Sequence, residues 1–359
     1  MKGVFVSDCE GPISKNDNAY ELATKFIPNG DNFFCNISRY DDVLANIFNK
    51  PKYTAGSTLR LILPFLKAYD VTDQQMEDFS ANNIMLISDT QVSLKYIESM
   101  AERYIVSTSY EHYIKALCKT VGFPYKNTYC TKVNLDNAAM PPQERSSLRE
   151  KAQMISQMSL ITIPTNAKTL ADFSLKDQAL IKLFDEIFWK EIPQMTIYKF
   201  FSDVITIGGE QKAMSVLDIV KHLKGSFTDV MYVGDSITDA EALRLVKENG
   251  GLAIAFNGNS YAVENSDIAV MSENNLVTAV IVDIFYRFGK EKTLKIVKTW
   301  SQSSLETVGV NLELLNQLFE VSKMWPKVQI VTRENMYSIV TESSEFRKDV
   351  RGVAIGRLG

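Results

Sequence analysis

The chain has 359 residues, 45% of them hydrophobic and 23% charged, which allows a sizeable buried core, suggests about two domains and excludes wholesale disorder. Its 39 basic and 43 acidic residues leave a net charge of −4 with no long basic run, so neither nucleic acid nor an anionic membrane surface is an expected partner. Four cysteines (Cys9, Cys35, Cys118, Cys130) form no C-x-x-C pair and only two histidines occur, His112 and His222, so no zinc site is expected and the thiols read as reduced.

The first element, Val4-Phe5-Val6-Ser7-Asp8, is a short apolar run closed by an acid. It reads as a buried strand of a parallel sheet. Because MKGVFVSD runs straight into that strand, no signal peptide is expected. No stretch approaches the ~20 apolar residues of a membrane helix, since Leu59–Leu66 is too short and Asp283 interrupts Leu276–Phe285. A cytoplasmic protein without membrane insertion is expected. Cys9-Glu10-Gly11-Pro12 is a turn. Residues 15–84 read as helical and rich in aromatics, with helices over Ala19–Phe26, Asp41–Phe48, Ser57–Ala68 and Thr72–Ala81. Asp70-Val71-Thr72-Asp73 caps the last of these. Phe33, Phe34, Tyr40, Phe48 and Tyr53 are expected in the core of this insertion rather than as a base-stacking platform. Asp17 and Asn18 either approach a substrate or cap a surface helix.

Asp89 then caps a helix striped by Val92, Leu94, Ile97, Met100 and Ala101. Tyr104–Ser109 is a strand ending in hydroxyls. A helix with Tyr113, Ile114, Leu117 and Cys118 follows and stops at Gly122; His112 is expected on its surface. Tyr129–Val133 is a further short strand. This alternation predicts a parallel sheet with right-handed crossovers. Residues 138–199 break the rhythm, with Pro141-Pro142 and helices over Arg145–Met158 and Lys176–Trp189. They either extend a lid or enlarge one flank.

The alternation resumes with a strand over Val204–Gly209, a helix holding Met214, Leu217, Ile219, Val220 and Leu223, and the strand Val230–Asp235. A helix from Asp239 to Lys247 stops at Gly250-Gly251, and strands cover Leu252–Phe256 and Ile268–Met271. Beyond 290 a helical stretch leads to Val328–Thr332 and Tyr337–Thr341, which flank Arg333-Glu334-Asn335 as a hairpin. The tail carries Arg347, Lys348, Arg351 and Arg357 against Asp349 and reads as a solvated terminus. The expected fold is α/β: a doubly wound, mostly parallel Rossmann-like sheet with an inserted helical cap. The core is expected over 1–14, 85–137 and 200–290, the cap over 15–84, a second helical insertion over 138–199, and a C-terminal helix and hairpin extension over 291–359.

Ligands of open α/β sheets sit outside the carboxyl ends of the strands. If the strands ending at Asp8 and Asp235 are neighbours, two carboxylates meet at that edge. Paired carboxylates without a neutralising partner are unfavourable, and a hard cation such as Mg²⁺ is their natural third member. That combination suits phosphoryl chemistry.

Four motifs fall in order along the chain: Asp8-x-Glu10-Gly11-Pro12, Ser107 after an apolar strand, Lys212 after Gly208-Gly209, and Gly234-Asp235-Ser236-x-x-Asp239. With Ala255-Phe256-Asn257-Gly258 they resemble the haloacid dehalogenase (HAD) superfamily of phosphatases and phosphotransferases, over roughly half the chain. Asp8-Cys9-Glu10-Gly11-Pro12 and Asn16-Asp17-Asn18-Ala19 also resemble an archaeal HAD-like group, energy-converting hydrogenase A subunit R. That likeness implies a methanogen and a link to hydrogenase, but no activity.

The HAD resemblance implies that Asp8 is a nucleophile forming an aspartyl-phosphate. It implies that Asp8, Asp235 and the Glu10 backbone carbonyl hold Mg²⁺. Ser107 would bond the phosphoryl group, with Thr108 or Ser109 as alternatives, and Lys212 would balance charge in the transition state. Amides near Gly11 would face the phosphate, and Asp239 would act through water on the metal or hold Lys212. Asn257 is either a substrate contact or a turn residue. One departure concerns Glu10, where the family's phosphatases usually place Asp as general acid and base. The extra methylene moves the carboxyl by roughly 1.5 Å, and a displacement of about 1 Å can cost on the order of 100-fold in rate. Pro12 stands where Thr is typical and lacks a backbone donor. The expected function is Mg²⁺-dependent hydrolysis of a small phosphorylated metabolite. A slow hydrolase or phosphotransferase, and a non-catalytic HAD-fold scaffold associated with an energy-converting hydrogenase, are the alternatives.

Overall fold

Seven strands, β1 (Gly3–Ser7), β2 (Ala101–Tyr110), β3 (Thr128–Thr131), β4 (Val230–Gly234), β5 (Leu252–Phe256), β6 (Ile268–Met271) and β7 (Lys327–Ile330), form one sheet in the order β3-β2-β1-β4-β5-β6-β7. This is a computed structural model that describes residues 3–50, 53–322 and 324–356. The first six strands run parallel, and β7 closes one edge antiparallel to β6. β1 lies in the middle, paired with β2 on one side and β4 on the other. The chain winds outward from β1 to β3 and returns to start the other half at β4. The carboxyl ends of β1 and β4 therefore flank the switch point where open α/β sheets bind ligands.

The helices follow in chain order. After β1 come α1 (Asn18–Phe26), α2 (Gly30–Asp42), α3 (Thr58–Ala68) and α4 (Asp73–Asn82), and α5 (Thr90–Met100) and α6 (Glu111–Val121) flank β2. After β3 the chain forms α7 (Pro142–Ser156), α8 (Leu175–Glu186) and α9 (Tyr198–Asp203) before returning through α10 (Glu210–His222) to β4. Then come α11 (Ala240–Glu248), α12 (Ser260–Glu264), α13 (Leu276–Val297), α14 (Gln302–Val308), α15 (Leu312–Val321) and, after β7, α16 (Met336–Arg351). No helix among the described residues is long and apolar enough to cross a membrane.

Strand residues alternate between two faces, and so do their cores. Phe5, Met231 and Val233 pack with Leu94, Leu117, Val280 and Ile284 on one side. Val4, Val6, Val230 and Tyr232 pack with Val216, Ile219, Leu243 and Ile339 on the other. A third apolar cluster joins the two insertions, with Leu22, Phe33, Ile37 and Phe65 from the first and Leu148, Ile155, Phe184 and Phe188 from the second. Tyr40 stacks on Phe184 at 4.9 Å and Phe188 at 5.9 Å. Its hydroxyl donates to Asp185 Oδ1 at 2.5 Å and accepts the Trp189 indole N–H at 2.7 Å. Phe33, Phe34 and Tyr40 are buried in this cluster, with Phe48 and Tyr53 packed against its edge.

Several local readings need correction. The strand expected over 204–209 does not form: residues 204–208 pair with no strand among the described residues, and the Ile207 N–H bonds the Thr131 hydroxyl at 3.2 Å instead of a ladder partner. The expected hairpin is absent. Its first arm is β7, but Tyr337–Thr341 lies in α16. The β-branched run there favoured a strand, yet Ile339, Ser343 and Arg347 recur every four residues and are buried on one helical face. The basic tail is correspondingly not a solvated terminus, since Arg347 is buried; Arg357 lies outside the described residues. His112 is also buried, bonded through Nε2 to Asp73 Oδ1 at 2.9 Å. Asp89 precedes α5 in a left-handed conformation and makes no capping bond with its side chain. Thr72 does cap α4, in a reciprocal box with Gln75.

Candidate active site

β1 and β4 are neighbours, and the Asp8 N–H donates to the Val233 carbonyl at 2.8 Å. That register carries Asp8 and Asp235 past the ends of adjacent strands to one edge. Asp8, Asp235 and Asp239 are all buried, and each offers a carboxylate oxygen within 4.8 Å of the others. Gly11 makes the approach possible. It has φ +113°, in the region that favours glycine, and a Cβ there would run into the Asp235 carboxylate.

Lys212, near the start of α10, is wholly buried. Its Nζ lies 2.6 Å from Asp8 Oδ2 and 2.8 Å from Asp239 Oδ1. Asp239 also accepts the Tyr232 hydroxyl at 2.8 Å and the backbone N–H groups of Asp235 and Ser236, both at 3.1 Å. Its two oxygens are thus committed, and of the two roles left open by the sequence the contact to Lys212 is the one present. Burial opposes the charge on Lys212, but Asp239 and Asp8 hold it well above its usual range. Burial likewise acts against ionised Asp239, and Lys212 and Tyr232 outweigh it, so Asp239 stays anionic. At Asp8 burial wins: with added repulsion from Asp239 and Asp235, it pushes the carboxyl up to about 7 against the pull of Lys212.

Glu10 Oε1 accepts the Asn18 N–H at 2.7 Å, so its longer side chain reaches the first turn of α1 in the cap. Burial, then the nearby Asp17, raises its carboxyl well above the usual range. Ser107 and Thr108, within β2, both line the cleft above Asp8. The Ser107 hydroxyl donates to Ser109 Oγ at 3.2 Å, whereas Thr108 Oγ1 is buried with no partner among the described residues. Asn257 is not brought to the cleft. Its amide is held at both ends by Ser272, with Nδ2 donating to the carbonyl at 2.8 Å and Oδ1 accepting the N–H at 2.9 Å. Cys9 points into the core beneath the sheet edge.

The cleft of about 100 Å³ is walled on the cap side by Asp17, Phe34, Ser38, Asp41, Asp42 and Thr58. Its remaining side holds two residues that the sequence reading left without a role, Arg347 and Arg351 of α16. Arg347 Nη1 bonds Asp235 Oδ2, and Arg351 Nη1 lies 3.0 Å from the same atom. Their spacing of four residues would have flagged them, had the segment been read as a helix.

Carboxylate oxygens converge at the Asp8–Asp235 edge beside the side-chain-free Gly11, with Lys212 already on Asp8 Oδ2 and Arg347 and Arg351 on Asp235 Oδ2. That donor set fits a hard divalent cation such as Mg²⁺. Asp8 and Asp235 would hold it, and Asp239 would not unless it gave up Lys212.

The sequence profile described as haloacid dehalogenase-like hydrolase matches residues 54–282, a span that includes Ser107, Lys212, Asp235 and Asp239 but begins beyond Asp8. The gene product AF1437 from Archaeoglobus fulgidus is 26% identical and superposes with a TM-score of 0.79 over 100% of this chain and 99% of its own. A substrate-bound phosphoserine phosphatase superposes at TM-score 0.47 and 13% identity, over 76% of this chain and 95% of its own. A probable cadmium-transporting ATPase of Listeria monocytogenes is 35% identical over 95 residues, 26% of this chain. The chain spans only 12% of that transporter's length. With the profile covering well over half of its length, the chain belongs to the haloacid dehalogenase-like hydrolases.

Proposed function

We propose that this hydrolase is a Mg²⁺-dependent phosphatase that cleaves a small phosphomonoester through an aspartyl-phosphate on Asp8. The observation that carries this reading is the fully buried Lys212 bridging Asp8 and Asp239 beside Asp235. A buried charge cluster of this kind is costly for stability alone. It is useful where charge develops on a transferring phosphoryl group.

In the first step an Asp8 oxygen attacks phosphorus as the bond to the ester oxygen breaks. The departing oxygen takes a proton from Glu10, whose carboxyl burial and the nearby Asp17 shift towards the protonated form. In the second step water attacks the phosphorus of the aspartyl-phosphate and gives its proton to the Glu10 carboxylate. Asp8 and inorganic phosphate are released. Lys212 offsets charge on Asp8 and on the phosphoryl oxygens throughout, while the Ser107 and Thr108 hydroxyls orient the group; the Gly11 N–H, expected to face the phosphate, donates instead to the Ser14 carbonyl at 2.7 Å. A Mg²⁺ ion on Asp8, Asp235 and the Glu10 carbonyl would supply further neutralisation of the phosphoryl oxygens. The cap, built from residues 15–84 and 138–199, would exclude water and choose the substrate. The small cleft suits a small phosphorylated metabolite. A non-catalytic scaffold is less favoured, because it has no use for a lysine held at zero exposure between two carboxylates.

The test is turnover of a generic aryl phosphate with and without Mg²⁺. Activity is expected to need the metal and to fall by at least about 1,000-fold in Asp8→Asn, as for loss of a covalent nucleophile. Metal-independent turnover that survives Asp8→Asn would overturn the assignment.

A further inference from the structure

α16 delivers two arginines onto a carboxylate of the proposed metal site. Arg347 and Arg351 lie one turn apart on one helical face, and each side chain is about 4% exposed. Arg347 Nη1 donates to Asp235 Oδ2 and, at 3.1 Å, to the Asp235 carbonyl. Arg351 Nη1 donates to the same Oδ2 at 3.0 Å. Arg351 also reaches the cap: its Nε donates to the Lys15 carbonyl at 3.1 Å and its Nη2 to the Asn16 carbonyl. Lys15–Asn16 is the segment through which the chain leaves the core for α1. The helix itself is docked by Ile339 in the core beneath the sheet and by the Ser343 hydroxyl, which donates to the Gly258 carbonyl at 2.7 Å.

One set of guanidinium contacts therefore ties together Asp235, the cap linker and α16. A divalent ion on Asp235 would meet two positive charges already bonded to the same oxygen. Like charges that close oppose each other strongly where water is excluded.

We propose that α16 is an intrachain latch that competes with the divalent cation for Asp235 and, through Arg351 and Lys15–Asn16, couples metal loading to release of the cap. This rests on the metal-dependent reading given above. The coupling is reciprocal. If the docked arginines weaken cation binding, the bound cation loosens the docked helix by the same factor.

Two measurements on the 359-residue chain test this. In titration calorimetry with Mg²⁺ alone, Arg347→Gln is expected to bind the ion about tenfold or more tightly than the wild type, within the usual range for coupled sites. In hydrogen–deuterium exchange on the wild type, saturating Mg²⁺ is expected to speed exchange over Met336–Arg351 and Ser14–Asp17 while β4 and β5 stay protected. The second measurement needs no substitution, so it decides the matter even if the variant does not fold. Metal affinity unchanged or weakened in Arg347→Gln, or exchange over α16 unchanged or slowed by Mg²⁺, would overturn the latch and leave the phosphatase reading standing. Mg²⁺ binding that is the same in Asp8→Asn, Asp235→Asn and the wild type would overturn the metal site, and the latch with it.

Discussion

At the scale of single residues, the site depends on what is missing as much as on what is present. Gly11 has no Cβ, and that absence lets the Asp235 carboxylate lie against the turn after β1. Gly11→Ala combines a strained φ with a collision, so a loss of about 1–3 kcal/mol is expected, read from the urea midpoint. Mg²⁺ affinity should fall with it as Asp235 is pushed aside. A variant with wild-type midpoint and affinity would show that the turn can relax. Asp8 and Asp235 were legible in the sequence as the acids that close two short apolar runs. Glu10, Gly11, Asp239 and Lys212 were legible only through the resemblance to the haloacid dehalogenase motifs. Arg347 and Arg351 were not, because their part in the site comes entirely from where a distant helix docks. Asn257 shows the opposite limit: a turn-forming residue at the right strand end spends its amide on Ser272.

At the scale of elements, strands β1, β2, β4, β5 and β6 were readable because a buried parallel strand is a short apolar run bounded by turn residues. The two misread segments have a shared cause. Val204–Gly208 and Tyr337–Thr341 are both rich in β-branched residues, but strand identity also requires a partner. The first has none and the second gains more by burying Ile339 and Ser343 along a helix. The insertions show tertiary packing joining pieces far apart in sequence. Phe188, just beyond α8, stacks on Tyr40 of α2 and meets Phe65 of α3 edge-on at 6.0 Å. Phe188→Ala is expected to destabilise this layer by about 3–5 kcal/mol. Hydrogen exchange over 30–68 and 175–191 should rise together while the sheet stays protected. Faster exchange confined to 175–191 would contradict a shared core.

At the scale of the whole molecule, burying acids makes stability depend on pH. Burial raises the Glu21 and Asp42 carboxyls to about 7, with Asn16 opposing the shift at Glu21 and Asp41 adding to it at Asp42. A carboxyl whose folded value exceeds its unfolded one holds its proton longer in the folded state. The stabilisation is therefore complete below the unfolded value of roughly 4 and is lost as pH rises through about 7. Glu21→Gln cannot ionise, so its melting temperature relative to the wild type should climb between pH 5 and pH 8. A difference that stays flat across that range would show that Glu21 is not held protonated.

The loop over Thr54–Gly56 rests on the Gly208-Gly209 turn that launches α10. A Cβ on Gly208 would strike the Ala55 carbonyl, and Gly56 in turn sits against Thr108 and Thr238. The roof of the cleft and the floor that presents its lysine are thus fitted to each other by contacts with no side chain to spare. Transplanting a foreign roof to retarget such an enzyme would have to carry both discontinuous stretches and this seam together. A graft of residues 15–84 alone would leave the launch of the lysine helix without its counterpart.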